Sequence, residues 1–270
     1  MVSLRERLSH PTLFQAAFLA VSIGLFGYMA VVIGGLVAYA PPPALIASLT
    51  SPEILFAIWL SLVTSVISTG LCVIVAVPIA YSMSRFEFPG KGAANIVMNL
   101  PMSLPPIVAG VALLIFYGPS TFGSMLDGLG LDVVFTPLGI IMAQFFVNVP
   151  YMIRVTRSAF ETINPRYEYV ARTLGCTDWS AFRQITLPLA RNGLVAGLAI
   201  TWSKAIGEFG AVLMLAGATR MKTETLPIAL FLNMSTGNLD QAVAAATLLI
   251  AISLVSLIVF ERYSKGVRVF

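Results

Sequence analysis

Six long apolar stretches alternate with short polar ones along the chain, at residues 12–40, 54–83, 93–118, 133–153, 194–216 and 242–260. Each is close to or above the ~20 residues an α-helix needs to cross a hydrocarbon core. The first is much longer than the ~7–15 apolar residues of a signal sequence. It therefore reads as a retained span, although Ala38-Tyr39-Ala40 mimics a cleavage site. Pro41-Pro42-Pro43 stops it, and Pro52 with Glu53 suits the start of the next helix. The pattern predicts an all-α polytopic membrane protein with six transmembrane helices. Residues 1–270 form a single transmembrane domain, and no soluble segment is large enough to fold alone.

Composition points the same way. The chain is 58% hydrophobic and 10% charged, against about 25% charged for soluble domains. The net charge of +4 does not mark a nucleic-acid partner, because the cations cluster at span ends rather than on one face. One set of alternate connections holds Arg5, Arg7, Arg85, Lys91, Arg154, Arg157, Arg166, Arg172, Arg183, Arg191, Arg262, Lys265 and Arg268. The opposite set holds only Arg220 and Lys222. The positive-inside rule then puts both termini in the cytoplasm of a multi-pass cell-membrane protein. Cys72 and Cys176 give neither a disulfide framework nor a metal spacing. His10 is the sole histidine, which argues against a zinc site and a Ser-His triad, so no catalytic or metal-ligating residue is assigned.

The polar stretch 154–191 is the longest, and its part from Glu168 to Pro188 has helical features. Asn164 and Pro165 suit a helix start, and Glu168 in the first turn favours the helix dipole. Tyr167, Val170, Ala171 and Leu174 share an apolar face. Gly175 is a left-handed end cap. Asp178 then caps a second helix over 179–185, which Pro188 ends. Helices this short are marginal in water, so they dock on something: a soluble partner, or the protein's own span ends.

Three motifs lie inside the spans. The run Leu100-Pro101-Met102-Ser103-Leu104-Pro105-Pro106 cannot be an unbroken helix, since each interior Pro costs about 3 kcal/mol. It is a broken helix lining a pathway or a kinked structural span. Lys204 and Glu208 lie four residues apart in the fifth span. A structural ion pair is the favoured reading, with direct anion recognition by Lys204 the sharper alternative. Gln144 and Asn148, one turn apart in the fourth span, either hydrogen-bond across helices or line a water-filled path, the former preferred. No G-x-x-x-x-G-K-[ST] occurs, so the chain shows no ATP-binding loop.

Gly175, nine residues, then Ile185-x-Leu187-Pro188 resembles the cytoplasmic EAA loop of the membrane subunits of ABC importers, here 160–188. Ala171 and Gly175 match that pattern. Its usual Glu falls on Tyr169 and its first Ala on Val170, with Glu168 one residue earlier. The proline run resembles the "PLPP" segment of molybdate-type permeases, and "GEFGA" around Glu208 resembles the corresponding segment of molybdate, tungstate and sulfate permeases; residues 52–260 form the resembling core. The resemblance implies a type I importer permease whose segment between spans four and five forms coupling helices. Glu168, Tyr169, Ala171, Gly175, Ile185, Leu187 and Pro188 would face ATPase subunits. Pro101, Pro105, Pro106, Gln144, Asn148, Lys204 and Glu208 would belong to the pathway. It also implies a second permease copy and an extracytoplasmic molybdate- or tungstate-binding protein. ATP and magnesium would be on the ATPase, with no cofactor in this chain. The alternatives are a sulfate-type permease, or an autonomous ion-coupled transporter or channel.

Overall fold

The computed structural model describes residues 12–39, 42–119 and 121–263. His10 and the terminal cations Arg5, Arg7, Lys265 and Arg268 lie outside them. Among the described residues every regular element is a helix: α1 Leu13–Tyr39, α2 Pro42–Leu49, α3 Pro52–Arg85, α4 Lys91–Ser103, α5 Pro106–Tyr117, α6 Thr121–Asp127 and α7 Pro137–Glu161. There follow α8 Arg166–Thr173, α9 Asp178–Ala181, a π-turn Phe182–Thr186, α10 Leu187–Ile206, α11 Gly210–Ala216, α12 Leu226–Ser235 and α13 Leu239–Tyr263.

Helix starts follow from local chemistry. Ser51 Oγ accepts the Ile54 N–H at 3.3 Å ahead of Pro52, and Thr136 Oγ1 accepts the Gly139 N–H at 3.4 Å ahead of Pro137. Among the described residues four helices are long and apolar enough to cross a membrane: α1, α3, α7 and the 239–258 part of α13. Two bent pairs raise this to as many as six. One is α4 with α5, turned by 112°, and the other is the run Asp178–Ile206 with α11, turned by 57°.

The centre is the α3–α7 pair with α10 and α11 packed on it. In lipid no hydrophobic force drives helices together, so close approach and hydrogen bonds must do so. Here α3 buries Ser61, Thr64, Ser65 and Ser68. A Cβ at Gly193 would collide with Ala159, so α10 lies directly on α7. By contrast α1 buries no residue at all, as suits a helix surrounded by lipid or by another chain.

Four expectations are corrected. The segment between the fifth and sixth apolar stretches is not simply one of the short polar ones, because it contains α12. Leu226, Ile228 and Ala229 are buried there, and so are Thr223, Glu224 and Thr225. The polar groups that obscured this helix are satisfied internally only in part, with Thr225 Oγ1 left without a hydrogen-bond partner among the described residues. Glu224 Oε2 accepts the Met221 N–H at 3.0 Å, and Ser61 Oγ accepts the Leu226 N–H at 2.8 Å. Second, Pro188 does not end a helix. It lies in the first turn of α10, where its missing N–H is tolerated, and the chain runs from α9 through the π-turn into α10. Third, the α9 cap is Thr177, whose Oγ1 accepts the Ser180 N–H at 3.2 Å, and not Asp178. Fourth, the fifth span breaks after Ile206, which separates Lys204 from Glu208.

Candidate functional site

The segment between α7 and α10 is shaped by its caps. Asn164 Oδ1 accepts the Arg166 N–H at 3.0 Å at the start of α8. At the other end Gly175 has φ +93, a conformation that favours glycine. The Gly175 N–H reaches the Arg172 carbonyl and the Cys176 N–H the Ala171 carbonyl, each at 3.0 Å. These are the paired bonds of a Schellman ending. They reverse the chain so that α9 folds back beside α8, and Arg172 Nη1 meets Asp178 Oδ1 at 3.0 Å.

Glu168 points inward. Its side chain and that of Arg85 are 6% and 7% exposed, with Arg85 Nε 2.9 Å from Glu168 Oε1. Thr186 Oγ1 donates to Glu168 Oε1 at 2.7 Å, and the Tyr81 hydroxyl donates to Oε2 at 3.0 Å. Arg85 Nη2 also donates to the Ile163 carbonyl at 3.1 Å. One carboxylate thus joins α8 to the end of α3 and to the π-turn that enters α10. Burial alone would push the Glu168 carboxyl up. The hydrogen bonds from Thr186, Arg85 and Tyr81, with the Arg85 charge, outweigh it and hold the group below its ordinary value. The Tyr81 ring packs edge-on against Phe160 and Phe182, extending the joint to α7.

The other side of the segment is bare. Tyr167, Tyr169, Val170, Leu174 and Trp179 are each more than half exposed, Leu174 reaching 80%. Arg172 lies 4.6 Å over the Tyr169 ring. Of the residues singled out from the sequence, Glu168 and Ala171 are buried, Ile185 and Leu187 are half-buried, and Tyr169, Gly175 and Pro188 are exposed. The segment's inner face is fastened to the protein's own span ends, one of the two readings, and its outer face is exposed.

The pathway candidates fall into two groups. Pro101 lies inside α4, while Pro105 and Pro106 form the corner that starts α5. Beyond that corner α5 packs against α11, the half-helix after the other break. A Cβ at Gly110 would come within 2.8 Å of Ala211 Cα, so only glycine fits there. Gln144 holds the centre: Nε2 donates to the Ala205 carbonyl at 2.9 Å and Oε1 accepts from Ser68 Oγ at 3.0 Å. Asn148 Nδ2 donates to the Gln144 carbonyl at 2.7 Å, leaving its buried Oδ1 without a partner among the described residues. Gln144 thus acts as interhelical glue beside the fifth-span break.

Lys204 and Glu208 do not form the expected ion pair. Lys204 Nζ lies 4.2 Å over the Tyr151 ring, and Glu208 Oε1 accepts the Ala211 N–H at 3.1 Å, capping α11. The i,i+4 argument fails because the helix stops between them. Sequence reasoning also missed Tyr81, Arg85 and Thr186 as partners of Glu168. Arg85 was visible only as a span-end cation, and no local signal links positions 83 residues apart. Among the described residues no three His, Cys, Asp or Glu side chains are grouped as metal ligands.

The chain is a helical bundle with two bent helix pairs and an ionically anchored, outwardly apolar helical hairpin. The chain belongs to the family of binding-protein-dependent transport system inner membrane components, whose pattern matches residues 73–269, and is a type I ABC importer permease. It is similar to a probable molybdenum ABC transporter permease protein of Haloferax volcanii, 34% identical over 84% of this chain and 81% of that one. It is 35% identical to the molybdenum transport system permease protein ModB of Mycobacterium tuberculosis over 78% of this chain and 80% of that one. The sulfate transport system permease protein CysT of Escherichia coli is 32% identical over 77% and 76%. In fold, the chain is similar to a bacterial alginate ABC transporter crystallised with an alginate pentasaccharide-bound periplasmic protein. That likeness has a TM-score of 0.72 at 20% identity and covers 93% of each chain.

Proposed function

We propose that this chain is the permease of an ATP-driven importer for a tetrahedral oxyanion, molybdate or tungstate, with both termini cytoplasmic and six spans in one domain over 1–270. Residues 52–260 form the permease core and 160–188 the coupling loop. Two copies build the pathway, and an extracytoplasmic binding protein delivers the anion. ATPase subunits, carrying ATP and magnesium, dock on the bare face of α8 and α9. The chain itself performs no covalent chemistry. The observation that carries this reading is the two-sided coupling segment, with an inner face locked by Glu168 and an outer face of exposed aromatic and aliphatic side chains. A merely structural loop would not leave Tyr167, Val170, Leu174 and Trp179 in water.

Movement of α9 enters α10 directly through the π-turn and enters α3 through the Glu168–Arg85 pair. When ATP closes the ATPases, both helices are pulled together with the segment. The break after Ile206 and the corner at Pro105 let the membrane halves α11 and α5 move separately from the cytoplasmic halves. A sulfate substrate is the second reading, supported by the 32% identity to a sulfate permease. Uptake of labelled molybdate by the reconstituted complex, with unlabelled tungstate and sulfate as competitors, tests the substrate. Competition by tungstate but not by sulfate is expected; preferential inhibition by sulfate would replace the molybdate reading.

A further inference from the structure

Away from the coupling segment, α4 and α7 enclose a polar groove of about 490 Å³. Asn95, Asn99 and Ser103 line it from α4, at four-residue spacing along one face. Arg154, Arg157 and Ser158 line it from α7. The two arginines differ in state. Arg157 is engaged: Nε lies 2.7 Å from Glu161 Oε1, and Nη1 donates to Asn95 Oδ1 at 3.1 Å, tying the two walls together. Arg154, one turn earlier, is exposed and has no ion-pair or hydrogen-bond partner among the described residues. The Ser103 and Ser158 hydroxyls are likewise unpartnered among them. Counting Glu161, the groove carries two positive charges against one negative.

Another turn earlier on α7 stands Tyr151, with Lys204 Nζ over its ring. Cations therefore follow one another along α7: Lys204 at Tyr151, then Arg154, then Arg157. A guanidinium with free, planar N–H donors matches the oxygens of a tetrahedral anion, and adjacent hydroxyls add donors without adding charge.

We infer that the α4–α7 groove is an anion-binding station on the oxyanion's route into the cytoplasm, with Arg154 as its cation and Ser103 and Ser158 as hydroxyl donors. The inference rests on the oxyanion-import reading and names residues for it. A phospholipid headgroup phosphate has the same tetrahedral, anionic chemistry, so the test separates the two sources.

The test uses the permease–ATPase complex in vesicles, with Cys176→Ala to remove the partly exposed thiol and Met102→Cys as a reporter in the groove. An anionic, membrane-impermeant thiol reagent is added from the ATPase side. Molybdate is expected to slow labelling severalfold, and Arg154→Gln to abolish that protection while Arg154→Lys keeps part of it. If Arg154→Gln does not assemble, Ser103→Ala with Ser158→Ala serves instead and is expected to weaken protection. Protection that is absent, or unchanged by these substitutions, overturns the inference. Labelling that responds to the fraction of anionic phospholipid and ignores molybdate overturns it in favour of a lipid site. Failure of the unsubstituted complex to take up any oxyanion with ATP would instead refute the import reading, and is measured separately.

Discussion

Replacing Glu168 by Ala removes the acceptor that three donors share. Arg85, 7% exposed, keeps only its bond to the Ile163 carbonyl, while Tyr81 and Thr186 lose their acceptor. Removing one partner of a buried ion pair costs about 3–5 kcal/mol, largely because the other charge stays buried and uncompensated. Glu168→Gln keeps the shape and one oxygen acceptor but loses the charge, so it should cost less, about 1.5–3 kcal/mol. The decisive assay is a double-mutant cycle with Arg85→Met, read by denaturant unfolding of the permease in detergent. The double variant Glu168→Ala/Arg85→Met should be more stable than the sum of the two single losses predicts, by at least about 1 kcal/mol. Complexes carrying the same single variants should hydrolyse ATP with less anion moved per ATP, because α3 is no longer fastened to α8. Additivity within about 0.5 kcal/mol would refute the shared cluster, and unchanged coupling would refute its role in transmission.

Further outcomes follow from the same geometry. Glu168 is held below its ordinary value, so its contribution is fully present above the unfolded carboxylate value near ~4.3 and is lost as pH falls through the lower folded value. The stability gap between wild type and Glu168→Gln should be flat from neutral pH to about pH 5 and shrink below about pH 4, which pH-dependent unfolding reads directly. Gly175→Val forces a β-branched residue to φ +93 and should cost about 1–3 kcal/mol locally; membrane insertion stays normal and uptake per ATP drops. Leu174→Glu, on a side chain that is 80% exposed, should change stability by less than about 0.5 kcal/mol. Its ATPase-subunit affinity, measured by titration, should nevertheless fall at least tenfold, about 1.4 kcal/mol.

What could be read in the sequence was what local chemistry decides. Gly175 announces its own conformation, since a left-handed cap after an apolar turn has few other occupants. The proline run at 101–106 excludes a straight helix by its own backbone chemistry, and α4 and α5 meet there at 112°. Where the sequence misled, a tertiary contact had overridden a local rule. Lys204 and Glu208 are a fair helical pair by spacing, but Gly207 ends the helix and each finds another partner. Thr223-Glu224-Thr225 looks like a solvated loop, yet Ser61, 165 residues from Leu226, supplies the bond that lets the strip enter the core. Glu168 resembles an outward, partner-facing residue until Arg85 and Tyr81 are brought beside it from the far end of α3.

The most direct test of the coupling account is molybdate uptake into vesicles containing either the purified permease alone or the permease with its ATPase subunits and binding protein. The account predicts ATP-dependent uptake by the full complex and none by the permease alone. Uptake by the permease alone, without ATP, would contradict it.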